Sequence, residues 1–319
     1  MEKEEKKPLI ILTGPTAVGK TAASIGLAKA VGGEIISADS MQVYKEMDIG
    51  SAKITPEEME GVPHHLVDVL EPEEEFNVVR FQELAKEAMK GIYERGHIPI
   101  VVGGTGFYIQ ALLYDIDFTE NETDHTYRKE LEQLAEEKGE EYLHKLLQEA
   151  DSESAGQIHC HNVKRVIRAL EFYHLSGKRI SEHNEKEREK TSPYHFAYFV
   201  LTDERSHLYA NIDKRVDLMI EQGLVDEVQK LKNMGFHRDM VSMQGLGYKE
   251  ILDYLDGKTS LEEAIYIIKR ETRHFAKRQL TWFRRERDVI WLDKQVYDYQ
   301  DAKILDSMIN ILKEKTIIN

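Results

Sequence analysis

The chain has 319 residues, enough for about two domains and a sizeable core. Lys plus Arg number 43 against 58 Asp plus Glu, a net charge of −15, and 41% of residues are apolar. This is the profile of a soluble globular protein; it excludes a disordered chain and one that coats nucleic acid through its overall charge, but leaves room for a local basic face. The single cysteine, Cys160, excludes an intramolecular disulfide and a Cys-rich structural zinc site and fits a reducing, cytoplasmic setting. The opening residues MEKEEKKP lack the apolar core of a signal peptide, and no apolar run has the length of about eighteen residues a membrane span needs, so no membrane role is expected.

Pro8 to Thr13 is a short apolar run ending in Gly14, the pattern of a buried parallel strand entering a tight loop, and a helix is predicted from Lys20 to Ala30. Further strands are predicted at Glu34–Ser37, His97–Val102, His195–Leu201 and Val289–Leu292, with a helix over Val79–Tyr93. Alternating strands and helices predict an α/β parallel sheet. Between 119 and 193 the pattern changes: Asp124–Lys138, Glu140–Glu149 and Asn162–Leu175 have helical periodicity with no strand between them. The chain therefore divides into an α/β core over 1–118 and 194–319 and a helical insertion over 119–193. The tail of that insertion, Ser176–Ser192, is polar and aperiodic and predicts a mobile connector.

Beyond Leu208 the pattern is mostly helical, including a long helix over Ser260–Trp282 and a last one over Ala302–Lys315. From Ile268 to Asp288 the chain carries Lys269, Arg270, Arg273, Lys277, Arg278, Arg284, Arg285 and Arg287 against only Glu271, Glu286 and Asp288. Here is the local basic face that the whole-chain sum conceals, suited to backbone phosphates. Phe275, Trp282 and Phe283 recur within it at helical spacing and are read as core rather than as base-stacking platforms.

Gly14-Pro15-Thr16-Ala17-Val18-Gly19-Lys20-Thr21 satisfies G-x-x-x-x-G-K-[ST] between a predicted strand and a predicted helix, the context that motif requires. Its backbone amides curl around phosphate oxygens, Lys20 brings positive charge to the terminal phosphate, and Thr21 offers a hydroxyl to phosphate or Mg²⁺. Such a cradle holds a diphosphate as readily as a triphosphate. The strand Ile98–Val102, where a nucleotide hydrolase ordinarily places an acid for Mg²⁺, instead runs into Gly103-Gly104-Thr105-Gly106; Asp68 is the available substitute. Asp39 follows another strand, and open α/β sheets bind ligands at that edge. It suits a proton acceptor or a Mg²⁺ ligand, and equally the N-cap of a following helix.

Together the phosphate loop, Ser37-Ala38-Asp39-Ser40-Met41-Gln42-Val43-Tyr44, Met47–Lys53, Pro63-His64-His65, Val102–Tyr108, Arg165–Glu171 and Ala276–Trp282 closely resemble the bacterial tRNA dimethylallyltransferase family, in order over about residues 8–292. The resemblance implies transfer of a dimethylallyl group from its diphosphate ester to N6 of adenosine 37, just 3′ of the tRNA anticodon, with Mg²⁺ as cofactor and diphosphate released. It implies Asp39 as the base, Thr105 as a channel residue that orients the amine, and Lys20, Thr21 and the loop amides as the diphosphate site, with Mg²⁺ on Thr21 and Asp39 as a further candidate ligand. It also implies tRNA contact through Asp39-Ser40-Met41-Gln42, Thr105, Arg128, Lys164-Arg165-Val166-Ile167-Arg168 and Gln244-Gly245-Leu246-Gly247-Tyr248-Lys249. The partners implied are dimethylallyl diphosphate and the anticodon stem-loop of tRNA, and the expected state is a monomer.

Plainer readings stand beside these. Thr105 suits a cap for the helix after Gly106, Arg168 or Arg165 suits a pair with Glu171, Arg128 suits a solvated helix face, and Gln244–Lys249 suits a helix-entry turn. His159-Cys160-His161 has zinc-ligand chemistry, but one short segment lacks a full ligand set, so no metal site is expected there. The rival functions are a P-loop small-molecule kinase or NTPase, marked by ATP turnover, and a non-catalytic tRNA-binding P-loop protein, marked by binding without modification.

Overall fold

A computed structural model describes residues 6–118 and 126–319. In chain order the first part of the core comprises β1 (Pro8–Thr13), α1 (Lys20–Val31), β2 (Gly33–Ala38), α2 (Pro56–Met59), β3 (His64–His65), α3 (Val78–Glu94), β4 (Ile98–Gly103) and α4 (Gly106–Leu113). A run of helices follows: α5 (Thr126–Lys138), α6 (Glu140–Ala150), α7 (Ser152–Gln157), α8 (Val163–Ser176) and α9 (Ile180–Glu189). The chain then returns through β5 (His195–Thr202), α10 (Arg205–Glu221), α11 (Leu224–Asn233), α12 (Tyr248–Leu255), α13 (Leu261–Phe283), β6 (Val289–Asp293) and α14 (Asp301–Glu314). The contacts divide it into two compact units, 1–113 with 193–319, and Tyr114–Ser192, so the helical unit begins at Tyr114.

The six strands form one parallel sheet in the order β3-β2-β4-β1-β5-β6. β2 is buried along its whole length and β1 from Leu9 onward, as strands covered by helices on both faces must be. Ile10 pairs with Ile100 on one side and Ala197 on the other, and Leu12 and Phe199 extend the core towards Leu27 of α1 and Met308 of α14. From β1 the chain winds to one side through β2, β3 and β4, then to the other through β5 and β6. Such a reversal opens a crevice outside the carboxyl ends of the strands, and the phosphate loop follows β1 into it.

The helical unit has its own core of Leu131, Leu143, Leu147, Val166, Ile167 and Leu170. Its tail differs from the connector read in the sequence: Ile180–Glu189 is helical. The cause is a tertiary contact invisible to composition. Asp151, 1% exposed, accepts the backbone N–H and hydroxyl of Ser154 (3.0 and 2.8 Å) and those of Ser181 (3.0 and 2.8 Å), which pins the first turn of α9. Burying that carboxylate requires these four donors. Among the described residues no helix is long and apolar enough to cross a membrane.

Candidate active site

Gly19 adopts a left-handed backbone (φ 95°) and launches α1 at Lys20, while Ala17 also takes a positive φ of 62°. The turn aims the first amides of the helix into the loop, where an anion is favoured. Lys20 Nζ donates to the carbonyls of Gly14 (3.0 Å) and Pro15 (2.9 Å), so it is folded into the loop. Burial, and then the charge of Arg215, pull its pKa down to about 8, while Asp39 pulls it up. Arg215, on α10, is half-buried, its pKa lowered by burial and raised by Asp39 and Glu58. Among the described residues its guanidinium has no hydrogen bond and no ion pair. Asp39 therefore acts on both cations, with Glu58 adding a second carboxylate on the Arg215 side, and the cations beside the loop amides favour an anion there.

Asp39 follows β2. Its Oδ1 accepts the amides of Met41 (2.8 Å) and Gln42 (3.4 Å), leaving Oδ2 without a hydrogen bond among the described residues. The capping contact thus exists, but it closes a turn; no helix follows before Pro56. The Thr21 and Ser40 hydroxyls have no hydrogen bond among the described residues. Gln42 Nε2 donates to Ala52 O at 3.1 Å, tying the turn to the 47–53 loop. That loop is itself held from α11: Glu227 accepts the amides of Asp48 (2.9 Å), Ile49 (2.7 Å) and Gly50 (3.0 Å) and the Tyr248 hydroxyl (2.8 Å).

The β4 loop completes the edge. Thr105 N donates to Ala38 O at 3.3 Å, which sets Thr105 beside the residue preceding Asp39. Its carbonyl, rather than its hydroxyl, starts α4, accepting from Tyr108 (3.0 Å) and Ile109 (3.2 Å); the half-buried hydroxyl has no hydrogen bond among the described residues. Gln279 of α13, 6% exposed, bridges the two loops: its Oε1 accepts Thr16 N (2.9 Å) and its Nε2 donates to Gly104 O (3.0 Å). A Cβ on Gly104 would lie 2.2 Å from that Nε2, and one on Gly106 would lie 2.2 Å from the Trp282 ring, so both glycines are required by close approach. Beside Trp282, burial pushes the Glu286 carboxyl up to about 7, opposed by the indole N–H and Arg287.

The structure thus gathers the phosphate loop, Asp39 and Thr105, and adds Arg215, Glu227 and Gln279, to which the sequence reading gave no role. Arg215 and Glu227 lie on ordinary-looking amphipathic helices and carry no local signal; Gln279 sits inside Ala276–Trp282, where the motif was the available pointer. Asp68, the substitute acid, is instead held by Lys53 Nζ at 2.8 Å. Gln244–Lys249 is a helix-entry turn, with Gly247 at φ 98° before α12 and Tyr248 fully buried against Glu227, so the Tyr248 ring is packing and not contact surface. The Met41 side chain packs against Gly245. Leu246 and Lys249 are half-buried and Gln244 is exposed.

In the helical unit, Arg128 forks onto Glu171 (3.1 and 2.7 Å), and Arg168 reaches the same carboxylate at 3.4 Å. Val166 and Ile167 are buried in that unit's core, which corrects their inclusion as contact side chains; Lys164 and Arg165 are exposed. Asp124, which opens the segment containing Arg128, lies outside the described residues. The basic run divides. Lys269 pairs with Asp217 (2.6 Å), Arg270 with Glu271 (2.9 Å) and Arg273 with Asp213 (2.6 Å), whereas Lys277, Arg284 and Arg285 are exposed without an ion pair among the described residues and Arg278 lies over the Phe275 ring. Phe283 is core, as expected. A depression of about 390 Å³ lined by Tyr194, His195 and Lys315 lies at the opposite, amino end of β5, away from this chemistry.

The family model described as IPP transferase matches residues 42–286, and one described as isopentenyl transferase matches 7–70. The chain is 63% identical over 312 residues to the tRNA dimethylallyltransferase of Lachnoclostridium phytofermentans, covering 98% of this chain and 99% of that protein. Among solved structures it resembles the tRNA isopentenylpyrophosphate transferase of Bacillus halodurans, with a TM-score of 0.73, 46% identity and 98% of each chain covered. It also resembles a eukaryotic dimethylallyltransferase acting on tRNA, with a TM-score of 0.79, 32% identity and coverage of 90% of this chain and 74% of that one.

Proposed function

The chain belongs to the IPP transferase family and transfers a dimethylallyl group to tRNA; from the site we propose that the donor is dimethylallyl diphosphate and the acceptor N6 of the adenosine just 3′ of the anticodon, position 37. The observation that carries this reading is the half-buried pair of cations, Lys20 and Arg215, beside a phosphate loop, with Asp39 acting on both. Two cations and a ring of amides fit the charge that a leaving diphosphate accumulates as the allylic C–O bond breaks.

Adenine N6 is a weak nucleophile because its lone pair is delocalised into the ring. As the new C–N bond forms, the amine must lose a proton, and Asp39 is the group that accepts it. Its divided geometry suits a base, because two amides fix Oδ1 and so present Oδ2 in one direction. The Thr105 hydroxyl, which caps nothing, orients the amine. Gln279 keeps the Thr16 and Gly104 backbones at a fixed separation, so donor and acceptor sides keep their register.

The unengaged Thr21 hydroxyl is a hard donor of the kind Mg²⁺ selects, and it would hold the ion. When bound, the ion neutralises charge on the departing diphosphate. The adenine must leave its stacked loop to reach the site, at a cost of a few kcal/mol. Ser40, with its unengaged hydroxyl, is placed to bond the extracted base; Gln42 does so only by relinquishing Ala52, and otherwise braces the turn. Lys277, Arg278, Arg284 and Arg285, with Lys164 and Arg165, supply phosphate contacts.

The test is incubation of the protein with Mg²⁺, radiolabelled dimethylallyl diphosphate and unmodified tRNA bearing adenosine 3′ of its anticodon, followed by nucleoside analysis. Label in N6-dimethylallyladenosine is the expected result. Absence of transfer together with ATP hydrolysis in a parallel reaction would put the kinase reading in its place.

A further inference from the structure

We propose that the turn between α7 and α8 is a binding site for a zinc-class divalent cation, with His159, Cys160 and His161 as ligands and the fourth position left to water. The three consecutive residues lie in a tight turn closed by Asn162 N donating to His159 O at 2.8 Å, which brings their side chains to one side. One ligand atom from each falls within 4.8 Å of the others. Cys160 Sγ is 3.7 Å from His159 Nδ1 and 3.8 Å from His161 Nδ1. Zinc–sulfur and zinc–nitrogen bonds of ordinary length set at the tetrahedral angle separate the two ligand atoms by about 3.6 Å. The turn therefore holds the two sulfur–nitrogen pairs within a few tenths of an ångström of the edges of a tetrahedral site.

Glu140 of α6 engages His161 Nδ1 through Oε1, but its carboxylate is not among the donor atoms that come together, so the turn supplies three ligands. No metal is expected on this segment from its sequence for want of a full ligand set; three protein ligands with a water form an open site instead. A thiolate with two imidazoles selects zinc or a similar borderline ion over Mg²⁺, which prefers oxygen alone. The bound ion replaces the proton of the Cys160 thiol and stiffens the turn that enters α8, the helix that carries Lys164 and Arg165.

The test uses the untagged, reduced, full chain in excess Mg²⁺, which saturates any oxygen-donor site, and titrates it with Co²⁺ as a coloured stand-in and then with Zn²⁺ in competition. One Co²⁺ per chain is expected, with a sulfur-to-cobalt charge-transfer band that Zn²⁺ abolishes. Cys160→Ser should remove the band, and His161→Ala should weaken Zn²⁺ binding about 100-fold. Both residues are at least partly exposed, and far-ultraviolet circular dichroism checks that each variant is folded. Cobalt bound without a sulfur band, or Zn²⁺ affinity unchanged in Cys160→Ser, would overturn the proposal.

Discussion

β2 carries a carboxylate at each end, and the two are treated in opposite ways. At its amino end Glu34, 1% exposed, is fully engaged: Arg95 forks onto it (2.8 and 2.7 Å), and His65 and His97 each bond it at 2.7 Å. The Arg95 hydrogen bonds lead in holding its pKa down at about 2. At its carboxyl end Asp39 keeps one oxygen unengaged, Thr21, Ser40 and Thr105 keep unengaged hydroxyls, and the Arg215 guanidinium has no hydrogen bond or ion pair among the described residues. The same strand is thus anchored by a completed charge network and functions through an incomplete one. What distinguishes a binding site from a structural cluster here is the residual demand for partners, not the number of charged groups.

The sharpest test of the incomplete end removes the carboxylate proposed as its base. Asp39→Ala should lower single-turnover transfer by about 10² to 10⁴-fold, while affinity for the prenyl diphosphate and tRNA changes little. Unchanged transfer would take the base role from Asp39. Next in size, Arg215→Gln and Lys20→Ala should each weaken diphosphate-ester binding about 10 to 100-fold, the worth of a charge-assisted contact. The two cations also set a pH dependence. With its pKa at about 8, Lys20 is charged below that pH and neutral above it, and a bound diphosphate restores the proton. Affinity should therefore be full below pH 8 and fall up to tenfold per pH unit above it, a decline measurable by titration calorimetry and absent in Lys20→Ala.

The completed end should respond through stability. A carboxyl whose folded pKa lies near 2, below its ordinary 4.5, stabilises the fold above pH 4.5 and loses that contribution as pH falls from 4.5 towards 2. Glu34→Gln should cost about 1–2 kcal/mol at neutral pH, less than a fully buried pair because Arg95 and His97 are half-exposed. Acid unfolding of the variant should be correspondingly flatter, and its transfer activity unchanged. Loss of transfer without loss of stability would erase the contrast between the two ends.

Much of this was legible in the sequence where the physics is local. β1, β2 and β4–β6 announce themselves as apolar runs, because strands buried on both faces leave little choice of residue, and the phosphate loop is a contiguous motif. Asp39 and Thr105 follow strand ends, where position along the chain implies position in space. β3, two residues long, is too short to carry a pattern, and α9 owes its order to Asp151, thirty residues away. Arg215 and Glu227 were illegible for the same reason: each acts on a loop more than 170 residues distant in sequence. Conversely, a motif cannot separate contact from support, and within its segments Val166, Ile167 and Tyr248 prove to be packing.

The distinction between satisfied and unsatisfied charge extends to the basic run along and beyond α13, where it makes the finest prediction. Counting residues treats all eight cations alike, but Lys269 and Arg273 already face Asp217 and Asp213, while Lys277, Arg284 and Arg285 face solvent. A cation that must leave an aspartate to reach a phosphate gains little and releases no extra counterion. Replacing Lys277, Arg284 and Arg285 by Ala should therefore weaken tRNA binding and reduce the slope of log affinity against log salt by about one for each phosphate no longer neutralised. Replacing Lys269 and Arg273 should leave the slope nearly unchanged, since the aspartates they release repel the same phosphates they would have attracted. Equal slopes for the two sets, measured by filter binding over a range of salt, would mean that the aspartate pairs open on binding and that the run acts as one surface.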